Sequence, residues 1–130
     1  MNKKSTKLNK IYYFLYPGNI NTKTGGYIYA KNILQRAKAL NFNLVAIQLS
    51  ENYPFQKKND ISTLKNILDK LPNNSVLIFD GLVFETIDKV IGDLKKFKII
   101  ALIHHPLYLE FKNKLSRYFF KQAMQLLSLI

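Results

Sequence analysis

Four short apolar runs, each followed by a helical pattern, decide what this chain can fold into. Ile11 to Tyr16, Leu44 to Leu49, Val76 to Phe79 and Ile99 to Ile103 are rich in β-branched and aromatic residues and lack polar alternation. Runs of this kind read as strands buried on both faces. Between the first two, Gly25-Gly26 opens a pattern that puts Tyr27, Ala30, Ile33, Leu34, Ala37 and Leu40 on one face, with Asn41 as its stop. Between the second and third, Asp60 is placed to cap a helix whose Ile61, Leu64, Ile67, Leu68 and Leu71 point inward, and Pro72 follows its end. Val83 to Lys96 reads as mostly helical with an interruption near Gly92, and a fourth helix is expected from about Leu109 onward.

The order β-α-β-α-β-α-β-α predicts an α/β fold: a Rossmann-like parallel sheet with right-handed crossovers and helices on both faces. Residues 1–10 form a basic tail and residues 11–130 one domain. In a doubly wound order with strand one beside strand four, the fourth strand is an open edge, and such edges are usually covered or paired. Tyr118 to Ile130 is apolar around most of a helical circumference. A helix of that kind expects cover on several sides, so the domain reads as truncated before a fifth strand.

Composition narrows the class. There is no cysteine, hence no disulfide framework and no thiolate metal site. No apolar stretch approaches the roughly 20 residues of a membrane span, and the run after the basic N-terminus is too short for a signal-peptide core. A cytoplasmic protein is expected. The net charge of +12 is uneven: residues 1–50 hold eight Lys/Arg and no acid, residues 51–110 eight of each, and residues 111–130 four basic residues and no acid. A basic surface attracts anionic lipid, nucleic acid or phosphorylated substrates. Eighteen of the 20 basic residues are Lys, beside abundant Asn and Ile, which is also the usage of an AT-rich genome on any solvated surface.

Four features fall at one edge of the expected sheet: the loop Pro17 to Gly26, the loop after strand two, Asp80-Gly81, and His104-His105-Pro106. In open α/β sheets ligands bind beyond the carboxyl ends of the strands. Glycines at a strand–helix junction let backbone approach a ligand, and the helix N-terminus then offers free N–H groups to a phosphate; the same pair also serves a tight turn. Asp80 can meet an acceptor or cap a turn, and Glu110 can do the first or sit favourably in the first turn of the last helix. There is no G-x-G-x-x-G after strand one and no Gly-Lys-Ser/Thr, which argues against a dinucleotide oxidoreductase and a P-loop protein.

Tyr16-Pro-Gly with Thr24-Gly-Gly-Tyr-Ile-Tyr29, then Phe79-Asp-Gly-Leu82, then Ala101-Leu-Ile-His-His-Pro-Leu-Tyr-Leu-Glu110 resembles the N-terminal domain of bacterial family 4 glycosyltransferases. The likeness runs from residue 11 to about residue 125. The resemblance implies the N-terminal half of a GT-B fold, in which two Rossmann-like domains face across a cleft. It implies a sugar transferase acting with retention on a nucleotide-sugar, with no metal and no other cofactor. On this likeness Gly25, Gly26 and Tyr27 form the donor-phosphate loop and His104 first and His105 second are the catalytic candidates; Asp80 and Glu110 are candidate acceptor contacts beside their cap and helix-start readings. Implied partners are the nucleotide-sugar, a sugar, lipid-linked or small-molecule acceptor, a separate C-terminal domain or a second copy, and the inner face of the membrane. The family's C-terminal donor-binding domain, with its paired glutamates, has no counterpart in these residues, so the chain alone is expected to be inactive. The alternative from a different class is a non-catalytic basic module that binds anionic membrane or, less favoured, nucleic acid; the adjacent Tyr118, Phe119 and Phe120 suit neither a single amphipathic face nor a regular base-stacking platform.

Overall fold

The computed structural model describes residues 11–19 and 25–103, with side chains from residue 28 onward in the second stretch. Strand β1 is Tyr12–Pro17, helix α1 Gly25–Ala39, strand β2 Leu44–Leu49, helix α2 Lys58–Lys70, strand β3 Val76–Asp80, helix α3 Gly81–Phe84, then a 3-10 segment Asp88–Leu94 and strand β4 Lys98–Leu102. All strand pairs are parallel, in the order β2-β1-β3-β4. The α/β class and the four strands are therefore as the sequence predicts.

The strand order is not the expected one. Strand one lies beside strand three, not strand four. The burial patterns give the reason. Strand β3 is buried at four of its five positions and β4 at none. A central strand needs apolar side chains on both faces. Val-Leu-Ile-Phe satisfies that, whereas β4 begins with an exposed Lys98 and leaves Ile100 45% exposed.

The chain moves one way from β1 to β2 and the other way from β2 to β3 to β4. Right-handed crossovers then put α1 on one face and α2, α3 and the 3-10 segment on the other. The pleat sorts the side chains accordingly. Tyr13, Leu15, Leu77 and Phe79 enter the main core with Leu64 and Leu68 of α2, Val83, Ile87, Val90 and Leu94. Phe14 and Tyr16 face α1 in a smaller cluster with Ala30.

Helix α1 ends as anticipated at Asn41, whose φ of 54° is left-handed. Phe42 N–H reaches Ala37 O at 2.8 Å and Asn41 N–H reaches Lys38 O at 3.1 Å, closing the end by the Schellman pattern. That reversal turns Leu40 outward, 69% exposed, and not inward as its spacing predicts. Helix α2 starts earlier than expected. Its N-cap is Lys57, and Asp60 is the third helical residue. The Asp60 carboxylate still serves the helix start by accepting from the Lys57 N–H at 2.7 Å. Leu64 and Leu68 are buried, and Ile61, Ile67 and Leu71 pack at the margin.

The third crossover departs furthest from expectation. Where a mostly helical Val83 to Lys96 is expected, the chain makes only the four-residue α3 and a 3-10 segment, with a non-helical Val90 at φ −116°, ψ 15°. The helix stops at Glu85, not at Gly92. Thr86 donates its hydroxyl to Leu82 O at 3.1 Å and to Val83 O at 3.2 Å, offering those carbonyls a partner outside the helical ladder.

Candidate functional site

The chain leaves β1 and β3 toward opposite faces of the sheet, and these two strands are neighbours. Their carboxyl ends therefore flank the topological switch point, where open α/β sheets form a crevice. Pro17, Gly18 and Asn19 lie on one side of it and Asp80 and Gly81 on the other. Helix α1 begins at the same edge.

Each side is fixed by a specific local device. Gly18 has φ 69°, a conformation that a side chain disfavours, and its N–H donates to Leu49 O at 2.9 Å. The first loop is thus pinned to the end of β2 before it departs. Asp80, 8% exposed, takes an extended φ/ψ of −61°/143° and caps α3 by accepting from Leu82 N–H at 2.9 Å. Gly81 sits hard against the end of β4: a Cβ there would lie 2.9 Å from Leu102 O and 3.3 Å from Ile103 Cα. No side chain fits without backbone movement, so the β3 end and the β4 exit are held together.

The loop after β2 has its own clamp. Asn52 N–H donates to Ser50 Oγ at 3.0 Å, and Asn52 Nδ2 donates to Asp60 Oδ2 at 2.9 Å. The Lys57 backbone N–H, then the Asn52 amide, hold the Asp60 carboxyl below its ordinary 3.8. Tyr53, 5% exposed, is pushed up to about 12 by burial, with the Asp60 charge adding to the effect. Burial also raises Tyr16, whose ring lies 5.8 Å from that of Phe14 under α1.

Of the residues singled out from sequence, Gly25, Gly26 and Tyr27 are the first three of α1, and the side chain of Tyr27 lies outside the described part. The N-terminal amides and the positive end of this 15-residue helix sit at the carboxyl edge. Asp80 is at that edge too, with the cap accounting for its position. His104, His105 and Glu110 lie outside the described residues. Gly18, Gly81, Asn52 and Tyr53 received no role from the sequence, although the Pro17-Gly18 dipeptide is a turn signal that pointed to the first.

Among the described residues no group of three His, Cys, Asp or Glu could hold a metal ion, and no helix is long and apolar enough to cross a membrane. A shallow depression lined by Asn32, Gln35, Arg36 and Ala39 lies on the C-terminal half of α1, away from the crevice. What the edge offers chemically is backbone: the amides of a helix start, a kind of group that suits an anion. No protein-family model matches the chain, and no curated protein matches it.

Proposed function

We propose that this chain is the acceptor-side, Rossmann-like domain of a nucleotide-sugar-dependent glycosyltransferase of the GT-B kind. The observation that supports it is the adjacency of β1 and β3: the start of α1 and the Asp80-Gly81 turn, two of the three motifs that carry the likeness, share the rim of one crevice. The third motif begins at Ala101 in β4, hydrogen-bonded beside Phe79, and runs on toward His104.

Breaking a sugar–phosphate bond builds positive charge on the sugar and negative charge on the leaving diphosphate. Groups aimed at that developing charge lower the barrier most. The amides at Gly25 and Gly26 supply them for the diphosphate. His104 hydrogen-bonds a hydroxyl of the transferred sugar and positions it, with His105 and Pro106 shaping the turn. A second domain with paired glutamates completes the site and grips the nucleotide. The reaction takes place on the cytoplasmic side, at the membrane face when the acceptor is lipid-linked.

In the complete two-domain protein, His104→Ala is expected to leave the fold unchanged, as judged by circular dichroism, and to abolish sugar transfer. Unchanged transfer would remove the role assigned to His104. A continuing reading frame without a second Rossmann-like domain would remove the class.

A further inference from the structure

Tyr16 is almost enclosed and yet ends in an unspent donor. Its side chain is 6% exposed and packs with Phe14 and Ala30 in the cluster beneath α1. Its hydroxyl makes no hydrogen bond among the described residues, and the oxygen is not one of the enclosed polar atoms, so it reaches the surface. Phe14, two residues earlier on the same face and 1% exposed, shows that a plain phenyl ring suits this layer. A hydroxyl carried into so apolar a place costs free energy unless it meets a partner.

Its place in the fold is the carboxyl rim. Tyr16 is the last residue but one of β1, pairs with Gln48 of β2, and stands one step beyond the Leu15–Phe79 pair, level with Asp80. Gly18, which pins the first loop to β2, follows two residues later. Ala30, which packs on Tyr16, is the sixth residue of α1. The steps from Gly25 to Ala30 rise about 7.5 Å, little more than one turn. The phenol therefore lies within roughly a turn of the helix start, whose amides favour an anion. Burial holds its ionisation above the ordinary 10.0, so at neutral pH the oxygen keeps its proton and serves as a donor.

We propose that Tyr16 is a binding residue of this rim: its hydroxyl donates a hydrogen bond to a diphosphate oxygen of the nucleotide-sugar at the start of α1, a contact that presupposes the reading of this rim as the diphosphate site. The phosphate oxygen supplies the acceptor that a buried phenol needs. The donor is neutral, so it adds to the helix amides without placing a further charge beside the core. The ring is already packed between Phe14 and Ala30, so little side-chain freedom is lost on binding. The anion site then draws on a side chain from β1 as well as on the backbone of α1.

Hydroxyl deletion tests the contact in the complete two-domain protein, titrated by calorimetry with a uridine- and then a guanosine-diphosphate sugar. Tyr16→Phe keeps the ring and is expected to weaken binding about tenfold, the size of one hydrogen bond to a charged group. Tyr13→Phe deletes a hydroxyl on the opposite, α2 face and is expected to leave the affinity unchanged. Both variants are expected to keep the wild-type unfolding midpoint in denaturant. In protein isotope-labelled at tyrosine Cζ, the Tyr16 resonance is expected to shift saturably as the ligand binds. Equal affinities of the wild type and Tyr16→Phe, or equal weakening in both variants, would overturn the contact and leave the diphosphate reading of the rim standing. Were Tyr16→Phe to unfold, an unmoved Tyr16 Cζ resonance in the ligand-bound wild type would overturn it in the same way. No binding of either nucleotide-sugar to the wild type would overturn the reading and the contact together.

Discussion

Helices α1 and α2 are both crossovers on one sheet, yet they are held very differently. Helix α2 drives Leu64 and Leu68, 1% and 0% exposed, into a core that also takes the inward side chains of β1 and β3. Helix α1 is two residues longer, but its buried described side chains are Ala30 and Ala37, and its partners in the sheet are Phe14 and Tyr16. Most of the stability therefore lies on the α2 face. The helix whose first turn borders the crevice lies on the other, where less apolar area opposes local opening. A ligand loop placed there can adjust without cost to the main core.

The largest expected effect tests that contrast directly. Leu68→Ala removes a fully enclosed side chain and is expected to cost roughly 2–5 kcal/mol in denaturant unfolding. Ile33→Ala on α1, a half-buried site, is expected to cost about 1 kcal/mol. Equal losses would break the comparison. Next in size is Gly81→Ala, which forces a methyl against Leu102 O and is expected to cost about 1–3 kcal/mol. Gly92→Ala serves as its control, since nothing lies within 4 Å of its added Cβ. Asp80→Ala removes the α3 cap and is expected to cost about 1 kcal/mol, with Asp80→Asn recovering most of it because an amide oxygen still accepts from Leu82 N–H.

The remaining effects are in pH dependence, and both belong to the clamp at the end of β2. The folded state lowers the Asp60 carboxyl, so its stabilisation is complete above the ordinary value of 3.8 and is lost as pH falls through the depressed one. The folded state raises Tyr53 from 10.0 to about 12, so that contribution is complete below 10.0 and is lost as pH climbs toward 12. Thermal melts across both ranges should lose the acid slope in Asp60→Asn and the alkaline slope in Tyr53→Phe. Slopes unchanged by these substitutions would detach the clamp from the titrations.

How far the sequence determines this molecule differs from element to element. The four strands were legible because Val, Ile, Leu and aromatic runs leave little alternative, and Leu44–Leu49 matches to the residue. Asn41 was legible as a stop because it tolerates the left-handed conformation that a Schellman end needs. The strand order was not, because which strand neighbours β1 depends on how much of each strand is covered from both faces, a property of the whole packing. Nor was the break after α3, since Val83 to Lys96 carries good helical spacing that the Thr86 hydroxyl overrides locally. At the crevice, Gly25, Gly26 and Asp80 were visible as residue types. The demand on Gly81 was not, because it arises from a distant strand end meeting it across the sheet.

The central claim is that the rim at the switch point, on the α1 side of the molecule, receives the diphosphate of a nucleotide-sugar. Backbone amide resonances of the complete two-domain protein titrated with a uridine- or guanosine-diphosphate sugar test it most directly. The expected result is saturable shifts at Gly18, Gly25, Gly26, Asp80 and Gly81, with the α2 amides from Leu64 to Lys70 unmoved. Shifts confined to exposed lysines and reproduced by an oligonucleotide, or no shift at Gly18, Gly25, Gly26 and Gly81, would contradict it.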